Sequence, residues 1–508
     1  MTARLATPAR GRLALVALVV AWLSAPTDAP AWEPETTHPG LTERAALHSE
    51  LHRHLRDYVG VPRGLYEALI VPPDDAPELF QTFSAMNPTH GYVPDTRGQM
   101  RALRWLSVGS VVADIPADHA QQHFYDPLTK VGLVNESRGS WLKRSRQLVE
   151  SASLGAGLFT NDRMPTTEWL DHIDNPLNLR GFLAQYERAL TSPNPAERSR
   201  HLAGALIAAG GILHLLQDMG SPSHVRGDAA AHFDPIGNSP RDVGSRFERL
   251  AALVYSRLGI PAPTASDALR DARERVEADG ILQFFTNDNH TGLADRTSER
   301  WFSAYTLPKS TNIYAGMRAE AINATLAASL ARPLPAIPSV PAWGIDFDAA
   351  RRGHARLENT DGVCMANYQL SDHDRLSWHL DDPCVNEQLA AILPEVTAYS
   401  SELINWLFRG RFDITPTDPN SPASAQGRFT ATIAGTGIGA GTLAVYWDNE
   451  YGVRDLMAAP AKLPKGAPVG TVMAHIPSPP ENATAVVLVF VGKDRNGHPL
   501  ISVGHVRL

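Results

Sequence analysis

The stretch His214-Leu-Leu-Gln-Asp218-Met-Gly-Ser-Pro-Ser-His224 closes the apolar segment 202–216. Residues four positions apart share one face of a helix, so His214 and Asp218 are predicted to face the same metal ion. The Gly-Ser-Pro that follows predicts the end of the helix and a turn that brings His224 back toward it. Imidazole and carboxylate ligands favour zinc. The stretch therefore predicts a buried helix with a metal site at its C-terminal end.

The composition of the chain narrows the class of protein. A length of 508 residues indicates two or three domains, and a hydrophobic fraction of 43% indicates an ordinary globular core. The net charge is −8, whereas nucleic-acid binding proteins usually carry an excess of basic residues. We therefore expect no stable nucleic-acid partner, and we expect a monomer.

Residues 1–31 have the features of a secretory signal peptide. Arginines precede an apolar stretch at 13–23, which is too short for an ordinary membrane span, and Ala29-Pro-Ala31 is a small-residue cleavage site. A cut after Ala25 is an alternative. Cleavage after Ala31 makes Trp32 the new N-terminus, and it predicts a secreted or periplasmic protein.

Two cysteines, Cys364 and Cys384, are present. In an exported protein this pair predicts one disulfide bond, with two free buried thiols as the alternative.

The hydrophobic spacing changes along the chain. Apolar residues recur at three- and four-residue intervals in 40–57, 96–112, 178–193, 198–219, 243–258, 264–284, 312–331 and 386–409. Residues 32–412 are therefore predicted to form a large all-α domain. A Pro-, Ser- and Thr-rich segment at 413–427 predicts a linker. The strand-like segments of 428–508 predict a small C-terminal β-sandwich, so the fold class is mostly α.

A second segment dense in carboxylate and imidazole groups runs from Asp114 to Pro127, and it contains His123-Phe-Tyr-Asp-Pro127. This motif resembles the one around a zinc-binding histidine in bacterial zinc-dependent phospholipases C. The stretch 214–224 resembles the second metal motif of that family, which the related S1/P1 nucleases share. In both groups the mature chain begins with a zinc-chelating Trp, as Trp32 would, and His38 follows closely. The resemblance spans roughly residues 32–410, with dense matching only at the motifs.

The resemblance implies up to three Zn²⁺ ions. One zinc would be held by Asp114, His123, His214 and Asp218, a second by Trp32, His38 and Asp218, and a third by His224, His232 and Glu248. Asp118 is an alternative to Asp114 as a ligand.

The third set departs from the family pattern. The family has a histidine four residues before the acid, where this chain has Gly244. His232 is the nearest substitute, and His290 is a more distant alternative.

Clustered zinc ions suit the hydrolysis of an anionic phosphodiester, because they neutralise its oxygens and activate water. The resemblance assigns to Asp114 the part of proton acceptor. We therefore expect a zinc-dependent phosphodiesterase, specifically a phospholipase C acting on the glycerol side of the phosphate, whose C-terminal domain offers a surface for membrane contact. The alternatives are an S1/P1-like single-strand nuclease and a non-catalytic, zinc-stabilised binding protein.

Overall fold

The computed structural model describes residues 36–86, 88–115, 119–133, 163–228, 231, 246–255, 259–314, 316–330, 341–353, 355–418, 423–424 and 427–508. Several positions named above lie outside the described residues: the signal peptide 1–31, Trp32, Asp118, His232 and Gly244.

A helical unit is followed by a C-terminal sheet, which confirms the coarse order predicted from the hydrophobic spacing. The longer helices are α1 (Thr37–His48), α2 (Pro77–Ala85), α3 (Ala102–Val112), α4 (Leu179–Thr191), α5 (Pro195–Asp218), α6 (Arg246–Val254), α7 (Asp267–Asp279), α8 (Leu293–Arg300), α9 (Ala319–Ser329) and α10 (Asp382–Leu407). Shorter helical turns are Leu51–Arg53, the π-helical His54–Val59, Thr166–Trp169, Pro222–Val225 and Phe347–Arg351. The 3₁₀ turns are Gly64–Tyr66, Pro73–Asp75, Pro88–His90, Ala120–Gln122, Ile281–Phe284 and Pro341–Gly344.

The predicted all-α domain also contains strands, which corrects that prediction. A small antiparallel pair joins β1 (Ala68–Ile70) to β2 (Gln99–Arg101). A larger antiparallel sheet has the order β3-β6-β5-β4, formed by Thr311–Asn312, Arg375–His379, Cys364–Leu370 and Ala355–Glu358. These strands are short, and β5 is buried on both faces, so it lacks the alternation that marks a half-buried strand. The predicted disulfide between Cys364 and Cys384 is present, and it ties β5 to α10.

The C-terminal sheet contains eight strands in the order β10-β9-β13-β14-β7-β8-β12, with β11 added to β9. Strand β14 is parallel to β7, and the other neighbours are antiparallel. The strands are β7 (Gly410–Pro416), β8 (Phe429–Ile433), β9 (Ile438–Asn449), β10 (Arg454–Leu456), β11 (Ala461–Leu463), β12 (Val472–Ile476), β13 (Ala483–Asp494) and β14 (Pro499–Arg507).

One curved sheet, a half-barrel, replaces the predicted β-sandwich. Its concave face encloses a core of its own, to which β7, β8, β9, β12, β13 and β14 all contribute apolar side chains. The predicted linker 413–427 also differs from the structure, because β7 continues to Pro416. Phe412 and Ile414 of β7 point into the core of the sheet, and β7 pairs with β8, so the connection begins four residues later than its composition suggests.

The other face of the sheet packs against the helices. Val487 and Val489 of β13 and Ile501 and Val503 of β14 belong to the same buried cluster as the cores of α4 and α5. Alternate residues of β13, such as Val486 and Leu488, belong to the core inside the sheet. The central strand is therefore buried on both faces.

Helix α5 lies at the centre of the helical unit. Among the described residues it alone has the length and apolar composition to cross a bilayer, but 78% of its most apolar window is buried inside the protein. Asn194 caps its first turn by accepting a hydrogen bond from the Ala196 N–H, and Pro195 follows in the favoured first position. Burial on this scale marks it as the core helix of a globular domain.

Two glycines allow α3 and α5 to cross at close range. A Cβ atom on Gly109 would lie 1.9 Å from the carbonyl oxygen of Ile207, and one on Gly210 would lie 2.0 Å from that of Leu106. The close crossing places the backbone of Ser110 beside His214, near the C-terminal end of α5.

We expect Gly210→Ala to destabilise the protein by about 2–3 kcal/mol, because the methyl group must push two helix backbones apart. Gly204→Ala on the same helix is the matched control, since the atoms nearest to its Cβ would belong to the Gln185 side chain and not to a helix backbone. The free energy of unfolding of the control should exceed that of the wild type by no more than about 1 kcal/mol, because alanine favours the helix. Thermal unfolding checks both, and equal effects would contradict the close-crossing explanation.

Candidate metal centre

Six separate segments bring imidazole and carboxylate groups into one buried cluster. We call this set the metal cluster: His38 on the first turn of α1, Asp114 just after α3, His123 after the turn Ala120–Gln122, His214 and Asp218 on α5, His224 on the turn Pro222–Val225, and Glu248 on α6. Each of these residues is at most 8% exposed. The structure thus brings together all the predicted ligands that lie within its described residues.

Asp218 is the central carboxylate of the metal cluster. Its Oδ2 atom lies 3.1 Å from His123 Nδ1 and 3.2 Å from His214 Nε2. Its Oδ1 atom lies 3.3 Å from His38 Nε2 and 4.0 Å from His224 Nε2. Four imidazoles therefore surround one carboxylate that has no exposed surface.

Asp114 is a second carboxylate of the metal cluster. Its Oδ1 atom lies 3.1 Å from His123 Nδ1 and 3.3 Å from His214 Nε2, and those two nitrogens lie 3.1 Å apart. Two overlapping groups, Asp114–His123–His214 and His38–His214–Asp218, each have ligand atoms within 4.8 Å of one another. This spacing lets each group converge on a metal ion.

Backbone carbonyls orient two of the histidines. His214 Nδ1 lies 2.7 Å from the carbonyl oxygen of Ser110, and His224 Nδ1 lies 2.9 Å from that of His123. A carbonyl can only accept a hydrogen bond, so each Nδ1 carries the proton. The Nε2 atom of each ring lies toward Asp218, and it is the nitrogen that would carry the lone pair for a metal ion.

The side chain of Gln217 orients a third histidine, His38. Its Oε1 atom lies 2.7 Å from His38 Nδ1, and its Nε2 atom donates to Thr42 Oγ1 at 3.0 Å. The Gln217 amide is thus held between the hydroxyl of Thr42 and the imidazole of His38. Sequence reasoning missed both residues. A polar side chain inside an apolar helix, and a threonine four residues after His38, were the available signals.

The electrostatics of the cluster favour a cation. Burial alone would raise the pKa of Asp114 and Asp218, but the adjacent imidazoles outweigh it and lower the pKa of both carboxyls. Burial alone would lower the pKa of His214, yet the two carboxylates raise it well above its ordinary value. For His38, burial and the neighbouring His214 lower the pKa.

The surroundings of the Asp114 and Asp218 carboxylate oxygens also favour a cation. Within the described part of the chain, no group other than these imidazoles faces the oxygens of Asp114 and Asp218, and none makes a well-formed hydrogen bond to them. Buried carboxylates are costly unless they are paired or bind a metal. The donor set of imidazole and carboxylate therefore fits a borderline-soft divalent ion such as zinc.

Glu248 is held at the edge of the cluster beside His224. Its Oε1 atom lies 3.8 Å from His224 Nε2 and accepts hydrogen bonds from Ser221 Oγ at 3.2 Å and Ser223 Oγ at 3.1 Å. These serines were not predicted, although they flank Pro222 in the opening motif. The alternative ligand His290 is 67% exposed and pairs with Glu299 at 2.9 Å, outside the metal cluster.

Comparisons with known proteins leave the family open. No protein-family model and no curated protein matches the chain. Solved structures match only at a low level, and two of them are clostridial alpha toxins. The alpha toxin from Clostridium absonum has 10% identity and a TM-score of 0.28, with 94% of this chain and 93% of that chain covered. The alpha-toxin of Clostridium perfringens from an avian strain has 11% identity and a TM-score of 0.24, with 94% and 100% covered. These TM-scores are too low to show a shared fold.

We expect Asp218→Asn to weaken zinc binding by at least about 100-fold, since the variant loses the carboxylate that faces four imidazoles. Zinc stoichiometry and zinc-dependent thermal stabilisation measure the effect. Asp295→Asn is the matched control, because Asp295 is also buried but bonds to Thr286 and Asn287. Unchanged zinc affinity in Asp218→Asn would contradict the assignment of this cluster.

We expect Gln217→Leu to lower zinc affinity by about 10- to 100-fold, because His38 loses the acceptor that orients its ring. Thr42→Val should have a smaller effect, since it removes only the hydroxyl behind the amide. Zinc titration of both variants tests this order. Wild-type affinity in Gln217→Leu would show that the amide does not support a metal ligand.

Proposed function

We propose that this chain is a secreted zinc-dependent phosphodiesterase that cleaves phospholipids between glycerol and phosphate. The observation that carries the proposal is the buried metal cluster, in which the two sequence motifs that resemble zinc-dependent phospholipase C lie side by side. His123 comes from the first motif, and His214 and Asp218 come from the second, with their facing atoms 3.1–3.2 Å apart. The disulfide supports export, because such bonds persist outside the reducing cytosol.

We assign the ligands as the resemblance implies. Asp114, His123, His214 and Asp218 would hold one zinc, Trp32, His38 and Asp218 would hold another, and His224, His232 and Glu248 would hold a third. The geometry that supports this assignment is the position of Asp218, whose two oxygens face different imidazoles. Trp32 joins the site only if the signal peptide is cut after Ala31.

Bound zinc would neutralise phosphate oxygens and lower the pKa of a water molecule toward about 7. The residues of this chain supply orientation and proton transfer. The carbonyls of Ser110 and His123 hold two rings, and Gln217 holds a third. Asp114 retains 8% exposure whereas Asp218 has none, so Asp114 is the carboxylate that we assign to accept the proton of the attacking water.

We expect the mature protein to hydrolyse short-chain phosphatidylcholine and bis-p-nitrophenyl phosphate, and to lose both activities with a chelator. Asp114→Asn should lower kcat/KM by about 100-fold or more, because it removes both a ligand and the proton acceptor. Asp295→Asn should remain active.

Two outcomes would replace this proposal. Hydrolysis of single-stranded DNA but not of lipid would identify the nuclease alternative. A single bound zinc with no hydrolysis of any diester would identify a binding protein.

A further inference from the structure

A small polar cavity lies where the helical unit meets the C-terminal sheet. Its volume is 160 Å³, and it shares no residue with the metal cluster. His54 lines it from the helical unit, whereas Arg411 and Thr436 line it from the sheet, and Arg409 lies between the two. A water molecule takes roughly 30 Å³ in the liquid, so the cavity has room for a small ion.

Arg409 contributes one uncommitted donor. Its Nη1 donates to the Trp406 carbonyl at 2.9 Å, and its Nη2 donates to Asp494 Oδ2 at 3.1 Å and to the Pro499 carbonyl at 2.8 Å. The guanidinium lies 4.0 Å from the centre of the Trp406 ring. With the plane so held, the Nε–H is buried and meets no acceptor among the residues that the structure describes.

Arg411 contributes a second donor and an excess positive charge. Its Nε–H is also buried without an acceptor in the described part of the chain. The carboxylate nearest to it is Glu50, at 3.9 Å from Nη1, and that carboxylate also lies 3.1 Å from Arg53 Nε. Glu50 also lines the cavity, and its one carboxylate is shared between two guanidinium groups, so the set of Glu50, Arg53 and Arg411 carries one excess positive charge.

His54 contributes a third polar atom. Its ring is 1% exposed, and its Nε2 lies 2.6 Å from the hydroxyl of Tyr186, whereas Nδ1 has no partner among the described residues. Burial and the charge of Arg411 lower the pKa of His54 to about 3, so the ring is neutral. When Tyr186 donates its proton to Nε2, the Nδ1 atom carries a proton and is a donor. His54 also begins a π-helical turn, a feature that is frequent at functional sites.

We propose that this cavity binds a small tetrahedral oxyanion, inorganic sulfate or phosphate, which accepts hydrogen bonds from Arg409, Arg411 and His54. Buried donors without acceptors are unfavourable, and guanidinium groups bind oxyanions strongly. The anion would link the helical turn at His54 to the start of β7. This site is independent of the proposed hydrolysis.

Thermal unfolding of the mature chain, titrated with sodium sulfate or sodium phosphate against sodium chloride of equal ionic strength, tests the proposal. We expect a saturable rise of the unfolding midpoint by about 1–2 °C in the low millimolar range. A general salting effect instead grows without saturation. The rise should persist with a chelator, because the metal cluster is not involved. Loss of the response with the chelator would place the anion at the metal cluster and overturn the proposal.

Two variants locate the response. Arg411→Gln should weaken the apparent anion affinity at least about tenfold, corresponding to one lost charge-assisted contact. Arg270→Gln is the matched control, since Arg270 is exposed on α7 and its ion-pair partner among the described residues is the exposed Asp267. Thr436→Asp places a carboxylate on the cavity wall, and it should abolish the saturable response while the protein remains folded. No saturable response in the wild type, or an unchanged response in the Arg411 or Thr436 variant, would overturn the proposal.

Discussion

The carboxylate of Asp218 is the constraint around which the helical unit is arranged. It is fully buried at the end of α5, and four imidazoles from four other positions of the chain face it. A buried carboxylate of this kind is tolerated only when positive charge and donors converge on it. That requirement explains why α1, the turn at His123 and the turn at His224 all meet at the end of α5.

The scaffold behind this cluster is the close contact between α3 and α5. Gly109 and Gly210 let the backbones touch, and this contact sets the distance between the Ser110 carbonyl and His214. The carbonyl in turn selects the protonated nitrogen of the imidazole. A packing feature one helical turn from His214 therefore determines which nitrogen of this imidazole faces the cluster.

Much of this arrangement could be predicted from the sequence, because it depends on the spacing of residues that are close together in the chain. The helix predicted at 198–219 corresponds to Pro195–Asp218, and the i, i+4 pair on it faces the expected direction. The coarse division into helices and a C-terminal sheet follows from the change in hydrophobic period. The pairing of Cys364 with Cys384 follows from there being no other cysteine.

The remainder depends on contacts between distant parts of the chain. Gln217 supports His38 across 179 positions, so no local pattern marks it. Strand β5 is buried on both faces, so its sequence does not show the alternation that distinguishes a strand from a buried helical segment. The sheet that contains β5 therefore falls within the predicted helical domain. The sequence predicts a sandwich where the structure has a half-barrel, because alternation shows which residues point inward but does not show how far the sheet bends.

The double burial of β13 has a thermodynamic consequence. Val486 and Leu488 close the core of the sheet, while Val487 and Val489 complete the core that contains α5. The two units therefore share one hydrophobic interior, and neither can unfold without exposing apolar surface of the other. Free energy released by an ion that bound at the end of α5 would therefore stabilise the C-terminal sheet as well as the helical unit.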